Sequence, residues 1–293
     1  MSESSLGIYL IIALMAMAIS MAIIPLMMRL APVVGMVDLP DPRKVHLVPV
    51  PRVGGVGIVV GALVPLMIWL PFDNLVLSFL IGSIVLFVFG IWDDVSELDH
   101  SVKFVGQFVA AGIVVYYGDL YVIHFPFMGE ALFPGVIGKP FTVIAIVGMM
   151  NAINHSDGLD GLAGGESLLS LAAITYLAFL YDSAQIVIIA AAIMGGVFGF
   201  LRFNSHPARV FMGDGGSQFL GFGLAFLVLV LTQQANEVLS PALPLLLLGL
   251  PIADILAVFV LRARSGMNLF RATRNHVHHR LLDLGFHHYE AVM

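Results

Sequence analysis

Between residues 6 and 262 the chain returns nine times to an apolar segment, and short polar loops separate the returns. The segments run approximately over 6–30, 53–70, 75–92, 104–117, 141–152, 166–181, 185–201, 217–232 and 241–262. About 20 apolar helical residues span the hydrocarbon core of a bilayer, where every backbone amide must be satisfied within its own segment. The expected fold is therefore an all-α polytopic membrane protein with about nine transmembrane helices and its site built from loops. Composition agrees: 59% of the residues are hydrophobic and 11% are charged, against about 25% charged in soluble domains. The segment from Leu6 to about Met28 is too long for the apolar core of a signal peptide and lacks a basic start, so it reads as a retained helix. Several other segments are short, as befits helices inside a bundle or beside a loop that dips inward. Pro71 to Asn74 and Asp182-Ser183 read as tight turns, and Gly118 to Pro140 as a small hairpin. With no internal repeat and no soluble stretch, residues 1–293 read as a single integral membrane domain.

Charge sorts the loops. Numbering them alternately sends 12 of the 13 Lys and Arg residues to one side and leaves only Lys139 on the other. The positive-inside rule makes the basic side cytoplasmic, with the N-terminus outside. Nearly all the histidines and the paired acids fall on that same side. With no cysteine anywhere, disulfides, thiolate metal sites and cysteine nucleophiles are excluded.

Five loops on the cytoplasmic side carry polar residues that are costly near hydrocarbon unless something uses them. The most informative is Asn151-Ala-Ile-Asn154-His-Ser-Asp157-Gly-Leu-Asp160-Gly, which threads two carboxamides and two acids with glycine. In a helix the i, i+3 spacing of Asn154, Asp157 and Asp160 brings them towards one face. A first loop holds Arg43, Lys44 and His46 ahead of Gly54-Gly55, cations for phosphate before a close backbone approach. Asp93-Asp94 closes the third apolar segment, where adjacent carboxylates repel unless a cation or a proton is shared. Phe211-Met-Gly213-Asp214-Gly-Gly places an acid in a glycine turn at a helix start, suited to an N-cap or to a metal beside phosphate. Phe211 is either a stacking surface for a base or ordinary packing.

The last loop interleaves Arg271, Arg274, Arg280 and His276, His278, His279, which reads better as a pyrophosphate clamp than as a zinc site. His100, His155 and His206 read as ordinary polar loop residues, and His287 and His288 as incidental surface residues. Carboxylate oxygens without thiolates favour Mg²⁺, with Mn²⁺ as the alternative. Metal and phosphate-binding cations together suggest phosphoryl transfer between a soluble nucleotide and a lipid. An ion-coupled transporter is the competing class, although transport acids lie near mid-membrane rather than in loops.

These motifs, in this order, resemble the polyprenyl-phosphate N-acetylhexosamine-1-phosphate transferases. The resemblance runs from Asp38 to about Gly285 and covers Arg43-Lys44 with Gly54-Gly55, Asp93-Asp94, Asn151 to Ala163, Phe211 to Asp214, and His276-Val-His278-His279. It implies transfer of a sugar-1-phosphate from a UDP-N-acetylhexosamine to undecaprenyl phosphate in the bacterial cytoplasmic membrane, with UMP released. That product is the first lipid-linked intermediate of a cell-envelope polysaccharide.

The implied partners are those two substrates, membrane lipid and, in a homodimer, a second copy; nucleic acid is not among them. The implied catalytic acids are Asp93, Asp94, Asp157, Asp160 and Asp214, with Asp214 and Asp94 as metal ligands. Asp157 and Asp160, with Asn154, line the nucleotide site, Asn151 is among the substrate-binding residues, and Asp160 and Phe211 hold and stack uracil. Gly213, Arg43, Lys44, His46, Arg271, His276, His278 and His279 contact phosphates or sugar. Val277 within the histidine string resembles the group that uses UDP-GlcNAc, rather than the transferase that takes phospho-MurNAc-pentapeptide. The family has ten or eleven helices, so one more is expected after the histidine loop, and the sequence reads as shortened at its C-terminus.

Overall fold

The computed structural model describes residues 3–40, 48–127, 132–234, 239–266 and 276–292. Arg43, Lys44, His46 and Arg271 lie outside these, as does the side chain of His279.

Each of the first eight apolar segments forms a helix. The chain runs through α1 (Glu3–Val34), a short antiparallel pair β1 (Val37–Asp38) and β2 (Val50–Pro51), α2 (Gly54–Trp69), α3 (Asn74–Ser96), α4 (His100–Gly112), α5 (Gly135–Ser156), α6 (Leu162–Leu180), α7 (Ala184–Asn204) and α8 (Asp214–Leu229). It then continues through α9 (Leu243–Leu247), α10 (Gly249–Arg264), α11 (Val277–Asp283) and α12 (His288–Val292). Helices α4 and α8 each continue into one wider π turn. The ninth apolar segment differs from expectation, because it breaks at Leu248 into α9 and α10.

Six described helices are long and apolar enough to cross a membrane, and α2 is a shorter apolar helix of 16 residues. Leu14, Ile144 and Leu169 are among the large apolar side chains that the fold leaves exposed. So much exposed apolar surface suits lipid and would be a liability in water. The chain is a multi-pass membrane protein.

The bundle is organised around α8, which is buried from Gly215 to Leu229 and packs on α2, α3, α5 and α6. Glycine permits the approach. A Cβ on Gly90 of α3 would run into the backbone of Gly215, and one on Gly55 of α2 would run into Gly216. Close backbone contact through small residues is how helices associate where lipid removes the hydrophobic drive. Further along, Phe79 of α3 stacks on Phe222 at 5.6 Å and meets Phe226 at 4.7 Å, locking α3 to α8.

Hydrogen bonds separate the loops into two ends, as their alternation predicts. At one end Phe211 N–H donates to Pro51 O (2.8 Å), while Gly54 and Gly55 N–H donate to Phe211 O (2.9 Å) and Met212 O (2.7 Å). The α1–α2 and α7–α8 loops are thereby zipped together. At the other end Gln233 accepts from the backbone of Ile123 and His124, and Gln185 donates to Asp73. The stretch read as a hairpin shows one antiparallel bridge, His124 to Leu132, with residues 128–131 outside the described set.

Candidate functional site

Three loop motifs meet at the start of α8. Gly213 has φ +75°, a left-handed conformation that suits glycine, and a Cβ there would lie 2.6 Å from Asp94 Oδ2. This turn presents Asp214 at the first position of the helix. Asp94, at the end of α3, accepts from Asp214 N–H (3.0 Å) and Gly215 N–H (3.4 Å). One helix thus supplies the N-terminal cap of another, with a negative charge at the positive end of the α8 dipole.

Asp93 points to the same place. Lys103 of α4 lies 2.6 Å from Asp93 Oδ2 and 3.0 Å from Asp214 Oδ2. Asp93 Oδ1 also accepts Leu98 N–H at 2.8 Å, which fixes the carboxylate. Asn154, near the end of α5, donates to Asp214 Oδ1 (3.1 Å) and Ser217 Oγ (2.8 Å). Arg52, Asp93, Asp94, Glu97, Leu98, Lys103 and Asp214 line a cavity of about 220 Å³. Arg52 itself pairs with buried Asp38, so the β1–β2 ribbon forms one wall.

The cavity suits a hard divalent cation. Four carboxylates line it, those of Asp93, Asp94, Glu97 and Asp214, and the Lys103 ammonium already stands between two of them as a positive charge among oxygens.

Other expected residues are placed around this centre. Asn151 turns away from it, donating to Gln107 Oε1 (2.7 Å) and Val147 O (2.8 Å), so it joins α4 to α5. Asp157 follows α5, where burial pushes its carboxyl up to about 7, with the charges of Asp214 and Asp160 adding. Asp160 accepts Ala208 N–H at 3.0 Å and pairs with His206 Nδ1 at 2.9 Å. Phe211 sits where its own backbone holds the two loops together.

The histidine segment docks by a second borrowed cap. Asp254 of α10 lies 2.7 Å from His276 Nδ1 and accepts Val277 N–H at 2.8 Å, at the start of α11. The His276 and His278 rings stack at 5.7 Å, and His278 packs against Gly158. His276 also lies 5.4 Å from His155, so the segment reaches the loop that carries Asp157 and Asp160.

Sequence reasoning missed four of these groups. Asp254 and Glu166 are buried acids inside apolar helices, and an ionisable residue within such a run is itself a functional signal. Lys103 counted only towards the basic side, yet it bridges two acids of the centre. Asn204 holds two loops, accepting Gly161 N–H (2.9 Å) and donating to Val210 O (2.8 Å). His206, read as an ordinary polar loop residue, and His288, read as an incidental surface residue, both lie against Asp160.

The model of glycosyl transferase family 4 matches residues 76–232, which carry Asp93-Asp94, the Asn151 to Ala163 motif and Asp214. The chain belongs to glycosyl transferase family 4. A probable undecaprenyl-phosphate N-acetylglucosaminyl 1-phosphate transferase of Bacillus subtilis is 33% identical over 291 residues, covering 98% of this chain and 81% of that relative. A decaprenyl-phosphate N-acetylglucosaminephosphotransferase of Mycobacterium tuberculosis is 32% identical, covering 90% and 73% of the two chains. An undecaprenyl-phosphate alpha-N-acetylglucosaminyl 1-phosphate transferase of Escherichia coli K12 is 29% identical over 267 residues, covering 88% and 72%. In this family 4 chain, the matched segment folds so that its acids Asp93, Asp94 and Asp214 converge on one helix terminus.

Proposed function

We propose that the chain transfers N-acetylglucosamine-1-phosphate from UDP-GlcNAc to undecaprenyl phosphate. The observation that carries this reading is the convergence of Asp93, Asp94, Lys103 and Asn154 on Asp214 at the N-terminus of a buried helix. The names of the relatives supply donor sugar and acceptor class. The excess of Lys and Arg in the loops at this end supports a cytoplasmic site in the bacterial inner membrane, where UDP-sugars are at hand.

An oxygen of the polyprenyl phosphate attacks the sugar-bearing phosphorus of the donor. A phosphorus–oxygen bond forms to the lipid as the bond to the UMP bridging oxygen breaks, and UMP leaves with that electron pair. Polyprenyl diphosphate-GlcNAc remains. Little covalent work falls to the protein, which has to position two anions and stabilise charge. Lys103 balances the acids while the phosphates approach. Asp94 caps the α8 terminus through the N–H groups of Asp214 and Gly215, and so fixes where the Asp214 carboxylate meets the phosphates. Asn154 keeps the Asp214 carboxylate in one orientation. The Asp157–Asp160 loop takes the nucleotide, Phe211 stacks on uracil, and the histidine segment contacts phosphate or sugar.

Mg²⁺ fits the cavity, with Asp214 and Asp94 as its carboxylates and Asp93 beside them; bound there it would supply Lewis-acid stabilisation of the diphosphate.

The test mixes detergent-purified protein, undecaprenyl phosphate and MgCl₂ with radiolabelled UDP-GlcNAc or UDP-MurNAc-pentapeptide. Label from UDP-GlcNAc entering the lipid phase, with an equal amount of UMP, is the expected result. Label from the pentapeptide donor alone would overturn the sugar assignment.

A further inference from the structure

Asp160, His206 and His288 come from three separate parts of the chain: the α5–α6 loop, the α7–α8 loop and α12. His206 Nδ1 lies 2.9 Å from Asp160 Oδ2. His288 Nε2 is 3.3 Å from Asp160 O, and its ring stacks on that of His206 with centroids 4.2 Å apart. One ligand atom from each residue falls in a group whose members all lie within 4.8 Å of one another. Neither helical register nor local turn chemistry produces this meeting, since Asp160 and His288 are 128 residues apart.

Two imidazoles and one carboxylate form a donor set unlike that around Asp214. Imidazole nitrogen suits zinc and its first-row neighbours, whereas Mg²⁺ takes oxygen donors. Ala208 N–H, 3.0 Å from Asp160 Oδ2, supplies the outer hydrogen bond that orients a ligating carboxylate. His206 is 55% exposed, so a metal has a route in and a solvent-facing coordination position is left for water.

We propose that Asp160, His206 and His288 form a binding site for a first-row transition metal of the Zn²⁺ type, separate from the acids around Asp214. Binding replaces the hydrogen bond between His206 and Asp160 with bonds to the metal and ties α12 to the α5–α6 and α7–α8 loops. The site does not depend on the transfer reaction, and its test does not use activity. Because Asp160 also belongs to the proposed nucleotide site, metal and donor compete for that carboxylate.

The probe is Co²⁺, titrated into detergent-purified full chain that carries no polyhistidine tag, followed by its visible d–d absorption and then displaced with Zn²⁺. The expected result is one equivalent of Co²⁺ with a low-symmetry spectrum, and affinity reduced about tenfold or more in both His206→Ala and His288→Ala. His287→Ala is the neighbouring control and leaves the titration unchanged, because that ring stacks on Tyr289 instead. Melting temperature is followed in parallel, and the Zn²⁺-induced rise of the wild type disappears in His288→Ala. Absence of the band in the folded wild type, or equal binding by wild type and both variants, would overturn the proposal.

Discussion

Asp94 caps a helix that is not its own. Its two carboxylate oxygens accept the N–H groups of Asp214 and Gly215 at 3.0 and 3.4 Å, so α3 and α8 are joined at the point where the other acids gather. Hydrogen bonds to a charged group contribute about 1.5–3 kcal/mol each. Asp94→Ala is therefore expected to lower the melting temperature in detergent and to remove transfer. Asp94→Asn keeps one acceptor and falls between the two in stability. Circular-dichroism melts of the three proteins check this; equal melting temperatures would show that the cap does not join the helices.

Lys103 offsets charge between Asp93 and Asp214. Lys103→Gln leaves their carboxylates facing one another without a cation. The variant is expected to melt lower than wild type without divalent metal, and to regain more of its melting temperature than wild type does when MgCl₂ is added. Identical Mg²⁺ responses would argue against a cation site between these acids.

Asp254 positions the histidine segment rather than touching substrate. Asp254→Asn weakens the bond to His276 and is expected to cut transfer about 10–100-fold, the range typical for loss of an orienting partner. Partners in one network do not add. The double variant Asp254→Asn with His276→Ala should then be no slower than His276→Ala alone, a comparison that steady-state rates supply. Fully additive losses would mean that the two residues act separately.

Stability should carry the signature of Asp157. Its carboxyl titrates at about 7 in the folded chain, against 3.8 ordinarily. The folded state therefore binds this proton more tightly than the unfolded state. Its contribution to stability is fully present below about pH 4 and is lost as pH rises through about 7. Asp157→Asn removes that dependence. Relative to wild type, the variant is expected to gain several degrees in melting temperature between about pH 4 and about pH 8. A constant gap across the range would contradict the described environment.

Much of this architecture is legible in the chain because lipid permits few solutions. Apolar runs become helices, and the alternation of charge sorts their ends, so the loops that carry Asp93, Asn154 and Asp214 had to share a face. Which of those polar groups touch was not legible. Asn151 and Asn154 belong to one motif, yet only Asn154 reaches Asp214, because Asn151 faces α4. Asp254 was hidden by its setting, a single acid in a run otherwise fit for lipid. His206 and His288 are ordinary in their local sequence and acquire meaning only from their joint approach to Asp160. The break at Leu248 has no glycine or proline at that position to announce it, although Gly249 and Pro251 follow closely.

Asp214 tests the central claim most directly, because Asn154, Lys103 and the Asp94 cap all converge on it. The measurement is kcat for GlcNAc-1-phosphate transfer by wild type and Asp214→Asn, with melting temperatures to show that both are folded. A loss of at least about 100-fold in a folded variant is predicted, the scale for removing a group that stabilises transition-state charge. A folded Asp214→Asn protein with kcat within about twofold of wild type, an energy difference below RT, would contradict the account.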